Sequence, residues 1–461
     1  MYYKNGTKTV HRVTQSLINL VGANSWEYRF TKAILSAKEC GCSELAHLNT
    51  LEDFYDYLDD FLHWVPSEDK TGYKVYQELC AYHHVLAQPT VVGLQSTIYP
   101  GCETREELSE LSQWMVMFSN SIGMWLDEKP NKSLTKETFE TFLKTPHTYP
   151  DGRPGYRVNE YKLPGDGTGN WWDYSFNDFF TREFVDIDKQ RPVGHPEDPL
   201  VICNGADSSF DGAWPIEEDA TVAFNYHNAQ QVEIKSLPYN ISQLLDGSEY
   251  SKKFAGGTFM HAFLGPADYH RQHAPVSGVV LEAKVVPGNV YLEVYVKQEP
   301  GKAPSLAPRR PLNPVKRRRP ARHERKGKKG IPAGEDGDDD MVDLDAPDYP
   351  GYQFSQARGM IVIKSDTIGL VAFLPIGMSH VSSVVIRDEI KPGYKVTKGE
   401  ELSMFMFGGS DYIMCFQKGV KLDFEKFGVE KNKWCAARCG YIKATVTEDF
   451  KTLEQYQPYW G

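Results

Sequence analysis

The chain has 461 residues, enough for one to three domains with a sizeable buried core. A hydrophobic content of 41% and a charged content of 25% are typical of a globular protein, and the net charge of −11 argues against nucleic acid as the main partner. No window approaches the ~18 uninterrupted apolar residues of a membrane span. Residues 1–30 lack the apolar stretch of a signal peptide, so we expect a cytoplasmic protein.

The eight cysteines indicate neither a disulfide framework nor a metal site. The two close pairs are Cys40 with Cys42 and Cys435 with Cys439, and neither is accompanied by a second pair at the spacing of zinc ligands. We therefore expect structural thiols in a reducing compartment and no bound metal.

Residues 1–170 are predicted to form a helical N-terminal domain. Over residues 51–65, apolar side chains recur with the period of a helix, and acidic residues lie between them. Thr104 and Glu107 have the spacing of a capping box, which predicts that a second helix starts there and continues to Trp125. The apolar stripes of both helices indicate packing surfaces rather than chemistry.

The rest of the chain is predicted to be rich in β-structure. Residues 149–170 are rich in Pro, Gly and Tyr, which is typical of a linker, so the second domain covers residues 171–461. Within it, short apolar runs are bounded by Gly, Pro, Asn or Asp, and each predicts a strand. The predicted strands are 200–203, 220–224, 232–234, 258–264, 279–286, 290–296, 360–363, 369–373, 381–386 and 412–416.

Two segments of this β-rich region resemble each other. Val276 is followed by Pro287-Gly288, and Val381 is followed at the same spacing by Pro392-Gly393. The repetition predicts two interlocking halves of a β-sandwich, and hence an α+β protein overall. Residues 396–402 are also similar to biotinyl/lipoyl carrier domains, but no lysine stands at a hairpin tip with the flanking residues of a carrier. A non-catalytic carrier or scaffold remains the alternative.

A highly charged segment separates the two half-repeats. Residues 301–350 are first basic and then acidic, contain many Pro and Gly, and have almost no apolar side chains. This composition predicts a disordered surface loop. Its functional alternatives are a nuclear-type address and peripheral contact with an anionic membrane surface.

Gly408-Gly409-Ser410 carries the main functional prediction. Glycine leaves a backbone carbonyl uncovered, and a hydroxyl follows directly at Ser410. If a base takes its proton, the hydroxyl can attack the Gly409 carbonyl and convert the peptide bond into an ester. Elimination and hydrolysis would then leave a pyruvoyl group at the start of a new chain.

Candidate partners for Ser410 precede it in the chain. His270 and His273 lie directly before the first half-repeat, and imidazole is well suited to proton transfer near neutral pH. Asp207 follows a predicted strand and offers a carboxylate that could orient an imidazole. Asp211 is its rival for that role, and both acidic residues stand in sequences that are also typical of turns.

Four segments in this order resemble the phosphatidylserine decarboxylase family of pyruvoyl enzymes. They are Phe179-Phe180-Thr181-Arg182-Glu183, Gly205-Ala206-Asp207, Tyr269-His270-Arg271-Gln272-His273-Ala274-Pro275 and Phe407-Gly408-Gly409-Ser410. The similarity extends from about Trp171 to the C-terminus, and members that decarboxylate tryptophan share the Phe-Gly-Gly-Ser cleavage sequence and a long helical N-terminal segment. The commonest members read Leu-Gly-Ser-Thr at the cleavage site, so retention of their lipid substrate does not follow.

The resemblance implies a role for each candidate residue. Asp207, His273 and Ser410 would form the self-processing triad, His270 would serve decarboxylation, and the bond between Gly409 and Ser410 would be cut. The products would be a β chain of residues 1–409 and an α chain of residues 410–461, with the pyruvoyl group derived from Ser410 as cofactor. Family analogy also suggests a homodimer.

Two substrates agree with this chemistry. A small amino acid, aromatic like tryptophan, fits the absence of an apolar membrane-insertion segment. Phosphatidylserine, converted to phosphatidylethanolamine, fits the family name and the basic half of residues 301–350. We favour the amino acid because a polar loop is a poor substitute for an inserted anchor.

Overall fold

A computed structural model describes residues 2–5, 8–98, 107–149, 152–227, 233–292, 294–298, 300–308, 352–378, 384–424, 434–439 and 441–446. The helices within these ranges are concentrated before residue 145. They are α1 (Arg12–Ala23), α2 (Glu27–Lys38), α3 (Leu51–Phe61), α4 (Lys74–Leu86), α5 (Pro89–Val92), α6 (Glu110–Leu126), α7 (Lys136–Phe142), α8 (Phe176–Phe180), α9 (Ile187–Gln190) and α10 (Ile241–Leu244). None of the described helices has the length and apolar character required to cross a bilayer.

The start of α3 follows from local chemistry, whereas the start of α6 differs from the prediction. The Thr50 side chain accepts from the backbone N–H of Asp53, and the Asp53 carboxylate accepts from the backbone of Thr50, which completes a capping box. In α6 the capping residue is Ser109, whose side chain accepts from the N–H of Ser112. Thr104 lies outside the described residues, but residues 107–109 are not helical, so the helix begins later than predicted, where Ser109 caps it.

The strands lie mostly after residue 200. They are β1 (Tyr2–Asn5), β2 (Lys8–His11), β3 (Tyr161–Lys162), β4 (Glu183–Phe184), β5 (Val201–Cys203), β6 (Ser208–Pro215), β7 (Thr221–His227), β8 (Glu233–Asn240), β9 (Thr258–Leu264), β10 (Arg271–His273), β11 (Gly278–Val286), β12 (Val294–Lys297), β13 (Ser305–Pro308), β14 (Arg358–Ser365), β15 (Gly369–Met378), β16 (Val384–Ile386), β17 (Lys395–Val396), β18 (Glu401–Phe405), β19 (Gly409–Phe416), β20 (Val420–Asp423), β21 (Trp434–Cys435) and β22 (Tyr441–Val446).

An antiparallel sheet of eight strands organises the β-rich region. Its order is β17-β11-β14-β15-β19-β9-β6-β21, so β19 is an interior strand with β15 on one side and β9 on the other. Smaller sheets have the orders β10-β18-β16 and β20-β22-β5. Since the sheet residues of β19 alternate between faces, Tyr412 and Met414 join one apolar core while Ile413 and Cys415 join another.

The first and larger of these cores also includes the N-terminal helices. Phe54 and Phe118 of the helical region belong to the same contiguous cluster as Phe373 and Tyr412 of the main sheet. The predicted α+β class, with a helical N-terminal region followed by β-structure, is therefore confirmed. The predicted boundary at residue 170 separates two kinds of secondary structure that share one core.

Two predictions for the middle of the chain need comment. The charged segment was expected to be disordered from residue 301, but Ser305–Pro308 pairs with Val294–Lys297 in a hairpin that packs on α4. Residues 309–350 of that segment lie outside the described residues. In the half-repeats, β11 pairs with β17, and residues 381–383 at the start of the second copy also lie outside the described residues.

Candidate active site

Ser410 lies at the beginning of the interior strand β19. Its backbone is paired with Gly377 of β15 and Leu264 of β9, and Gly409 is paired with Met378. The side chain is fully buried, and its Oγ has no hydrogen-bond partner. A buried hydroxyl without a partner is energetically unfavourable, which makes Ser410 a candidate for a chemical role.

His270 also has unused hydrogen-bonding capacity. Its side chain is buried and neither ring nitrogen has a hydrogen-bond partner. The imidazole stacks on the Phe180 ring with centroids 3.8 Å apart. Burial, assisted by the charge of Arg182, holds the pKa of His270 well below its usual value, so the ring is neutral. The backbone carbonyl of His270 accepts from the N–H of Phe405. Phe405 ends β18, directly before residues 406–410, which contain the predicted cleavage site and are called the cleavage segment below.

His273 is oriented by a backbone carbonyl and a phenol. Its Nδ1 lies 2.9 Å from the Gly399 carbonyl oxygen, and its Nε2 lies 3.2 Å from the Tyr269 hydroxyl. Because a carbonyl oxygen only accepts, Nδ1 carries the hydrogen and Nε2 accepts from Tyr269. Burial lowers the pKa of His273 to about 3, so the folded protein holds it neutral.

Asp207 has a different partner from the one expected. Arg191 donates from Nε to Asp207 Oδ1 at 2.8 Å and from Nη2 to Oδ2 at 2.6 Å, and the Ala437 N–H donates to Oδ1 at 2.7 Å. This is a buried bidentate ion pair. The expected hydrogen bond between Asp207 and His273 is not formed. Sequence reasoning gave Arg191 no role, since the pairing depends on the fold.

Asp211, the rival carboxylate, does not orient His273 either. It lies in β6, where its Oδ2 is 2.9 Å from Nδ1 of His261. The other imidazole nitrogen of His261, Nε2, is 2.9 Å from Oδ2 of Asp411. Sequence reasoning missed this cluster. Two signals were available: His261 lies within the apolar run of β9, and Asp411 directly follows Ser410.

The turn before β6 contacts both His273 and the strand that contains Ser410. The backbone N–H of His273 donates to the Gly205 carbonyl at 2.7 Å. The Tyr412 hydroxyl, two residues after Ser410, donates to the Asn204 side-chain oxygen. A Cβ at position 205 would lie 2.3 Å from the Phe373 ring, so only glycine permits this approach.

Phe407 connects the cleavage segment to an aromatic cluster. Its ring centroid is 5.1 Å from Phe176, 5.1 Å from Phe180 and 5.5 Å from Trp64. The Phe407 N–H donates to the Asn177 side-chain oxygen at 3.0 Å. Trp64 follows α3, so the N-terminal helical region contacts the segment two residues before Gly409. Sequence reasoning gave Trp64 and Phe176 no role, and it used Phe180 and Phe407 only as parts of the family motifs.

Arg182 supports the loop before His270. It donates to the carbonyl oxygen of Ala267 at 2.7 Å and to that of Asp268 at 3.2 Å. Its guanidinium also lies 4.6 Å from the centroid of the Tyr161 ring. Within the part of the chain that the structure describes, no group of three or more His, Cys, Asp or Glu residues is placed to hold a metal ion.

The chain is similar to several known decarboxylases. The family model described as phosphatidylserine decarboxylase matches residues 176–441. The decarboxylase iboD of Amanita muscaria is 28% identical over 259 residues, which cover 56% of this chain and 62% of that protein. The L-tryptophan decarboxylase of Psilocybe cyanescens is 28% identical over 260 residues, which cover 55% of this chain and 48% of that protein.

A bacterial relative is matched over more of its length. The phosphatidylserine decarboxylase proenzyme of Fusobacterium nucleatum is 26% identical over 331 residues, which cover 67% of this chain and 83% of that protein. By contrast, the matched region spans only about half to three fifths of the two fungal relatives. Because the family model covers more than half of the chain, the protein belongs to the phosphatidylserine decarboxylase family.

Proposed function

We propose that the protein cleaves itself between Gly409 and Ser410 and then acts as a pyruvoyl-dependent decarboxylase. The observation that carries this proposal is the buried Ser410 hydroxyl without a hydrogen-bond partner, directly after a glycine pair at the start of β19. Family membership supports decarboxylation, and one relative is named a proenzyme.

The residues around Ser410 fit a pyruvoyl group. The unpartnered Oγ is the atom whose loss would convert the serine to the keto acid, and the two neighbouring strands hold the backbone on both sides. A pyruvoyl group supplies a carbonyl that condenses with an amine and accepts the electrons released when CO₂ leaves. No metal is needed for either process.

Self-cleavage begins with transfer of the Ser410 hydroxyl proton to a base. Neutral His273 is our candidate, and its Nε2 must first give up its hydrogen bond with the Tyr269 hydroxyl. The oxygen attacks the Gly409 carbonyl carbon, the amide C–N bond breaks as the Ser410 nitrogen takes the proton back from the base, and an ester forms between Gly409 and the serine oxygen. Loss of the Ser410 α-proton breaks the bond between Cβ and that oxygen, which releases the Gly409 carboxylate. Addition of water and loss of ammonia then complete the new N-terminal group.

His270 is the candidate for proton transfer to the substrate. A neutral imidazole carries a hydrogen on one nitrogen and a lone pair on the other, and in His270 neither nitrogen has another partner. The ring can therefore give a proton to a substrate carbon after CO₂ has left. Because His270 is buried against Phe180, this proton transfer takes place away from water.

We propose a small aromatic amino acid, such as tryptophan, as the substrate and the corresponding amine as the product. The rings of Phe176, Phe180 and Phe407 near His270 provide apolar surfaces that suit an aromatic side chain. A relative named L-tryptophan decarboxylase supports this choice. Phosphatidylserine is the second candidate, supported by the name of the bacterial relative. We also propose that the protein is located in the cytoplasm, that it forms a homodimer and that it makes contact with an anionic membrane.

Electrophoresis under denaturing conditions tests self-cleavage. The purified protein is expected to give two bands and the Ser410→Ala variant one, because alanine has no oxygen with which to attack. Ser403→Ala is the matched control, since Ser403 is equally buried but its hydroxyl already donates to Gln272. Intact mass should show that the small fragment begins with a pyruvoyl group. An active protein with one intact band would contradict the proposal.

Release of CO₂ separates the two substrates. We expect release from free tryptophan or another aromatic amino acid and little from phosphatidylserine vesicles. Activity on vesicles alone would identify the lipid as the substrate. The vesicle assay is run at low and high salt, because binding through basic residues weakens as salt rises.

A further inference from the structure

A second group of buried ionisable side chains lies on the face of β19 opposite to Ser410. Successive strand residues point to opposite faces, so Asp411 points away from the Ser410 side. Its carboxylate is 2.9 Å from one nitrogen of His261, and the Asp211 carboxylate is 2.9 Å from the other. All three side chains are 0% exposed. The cluster joins the three neighbouring strands β6, β9 and β19.

Among the described residues, Asp211 and Asp411 are the charged partners of His261. Asp211 faces it from β6 and Asp411 from β19, while the neutral amide Nε2 of Gln353 lies 3.3 Å from its Nε2. Cys415 lies on the same face of β19, and burial raises the pKa of its thiol, which stays neutral. Burial alone would lower the pKa of His261, but the two carboxylates raise it to about 9, so the imidazole is charged at neutral pH.

Burying these three ionisable side chains is energetically unfavourable if they make only a structural contact. The surrounding side chains form an apolar core that includes Ile376 and Ile413. Charged groups in such a core lose their hydration, and apolar side chains of similar size often give equal or greater stability. Nevertheless, one of these charged residues, Asp411, directly follows Ser410 in the chain. Their position therefore points to the chemistry at Ser410.

We propose that the cluster Asp411–His261–Asp211 is a positioning site for self-cleavage. This inference rests on the proposed function. The cluster ties the residue after the nucleophile to both β9 and β6. The backbone of Ser410 is thereby held in place while the peptide bond on its other side is attacked and broken, and the new chain start stays in register after the bond to Gly409 is lost.

Cleavage of newly made full-length chain tests this role. Radiolabelled protein is synthesised in a cell-free system, and the conversion of precursor to two bands is followed in time. His261→Gln and Asp411→Asn remove the charges with little change in shape, and each is expected to slow conversion at least tenfold at pH 7. Val222→Ala is the matched control, because Val222 is buried in the same core but lies in β7, outside the three strands of the cluster, and this variant should convert at the wild-type rate.

The pH profile separates positioning from a general loss of stability. The wild-type conversion rate should fall as the pH rises through about 9, where His261 loses its proton, and the His261→Gln rate should lack this fall. Wild-type rates in both charge variants would overturn the inference, and so would equal slowing in Val222→Ala at a matched loss of thermal stability. Either result would leave self-cleavage standing. If the wild-type chain is never cleaved, both the positioning role and the proposed self-cleavage are wrong.

Discussion

At the scale of single residues, the main surprise is Asp207. The sequence suggested that it orients a histidine, whereas the structure pairs it with Arg191 in a buried bidentate contact. The histidine instead uses Tyr269 and the Gly399 carbonyl. In this arrangement Asp207 holds the turn that contacts His273 and Tyr412.

Replacing Asp207 should cost stability because Arg191 would be left buried without a counter-charge. We expect Asp207→Asn to lower the free energy of unfolding by about 3–5 kcal/mol. Urea unfolding in the Ser410→Ala background measures this without interference from cleavage. Glu218→Gln is the control, since its ion pair with Lys418 is exposed and its removal should cost less than about 1 kcal/mol. Equal midpoints for the two variants would contradict the structural role of the Asp207 pair.

The candidate residues could be found from the sequence, but their contacts could not. Gly409-Ser410 and the histidines at 270 and 273 are recognisable from residue type and spacing. The partners depend on pairings across the fold, because Asp207 accepts from Ala437, 230 positions away. Local patterns carry no information about such distant pairings.

At the scale of elements, strands with a regular apolar pattern were predicted well and interrupted ones were missed. The predicted strand at 258–264 coincides with β9. The sequence Phe210-Asp211-Gly212 indicated a turn, yet it lies inside β6, where the register with β9 shifts between Phe210 and Gly212. Gly212 has φ 156°, and a bulge uses the same residue types as a turn. The residue pattern alone cannot distinguish the two.

The contact between the α3–α4 connection and the cleavage segment gives a prediction at this scale. Trp64→Ala removes a ring that packs on Phe407, and an aromatic pair contributes about 1 kcal/mol. If that contact restrains the segment, self-cleavage should slow about fivefold. The rate of precursor conversion measures this.

A second tryptophan provides the comparison. Trp172 packs on Phe139 rather than on Phe407, so Trp172→Ala should leave the rate unchanged. Equal rates for the wild type and Trp64→Ala would show that the helical region does not influence cleavage.

At the scale of the whole molecule, buried ionisable groups determine how stability changes with pH, and five of the described residues are among them. The carboxylates Asp268 and Glu68 have their pKa raised to about 7 by burial, and His261 has its pKa raised to about 9. These three bind protons more tightly when folded. Burial lowers the pKa of His270 and His273, so both bind protons more tightly when unfolded. Stability therefore falls on either side of mildly acidic pH.

The alkaline side yields a specific prediction. Between pH 6.5 and about 9, folded His261 keeps a proton that the unfolded chain releases, so the free energy of unfolding should drop by on the order of 3 kcal/mol. Melting temperatures of the Ser410→Ala protein should be highest near pH 6 and decline towards pH 9. In the His261→Gln variant, most of this decline in melting temperature should be absent. An unchanged slope in this variant would assign the effect to other groups.

The interior position of β19 determines what happens to the two pieces of a severed chain. Its residues remain hydrogen-bonded to β15 and β9 along nearly the whole strand, and its side chains belong to both cores. The short piece would thus behave as a non-covalent subunit that no dialysis or gel filtration removes. An affinity tag on either terminus should retrieve both pieces, and only a denaturant should part them.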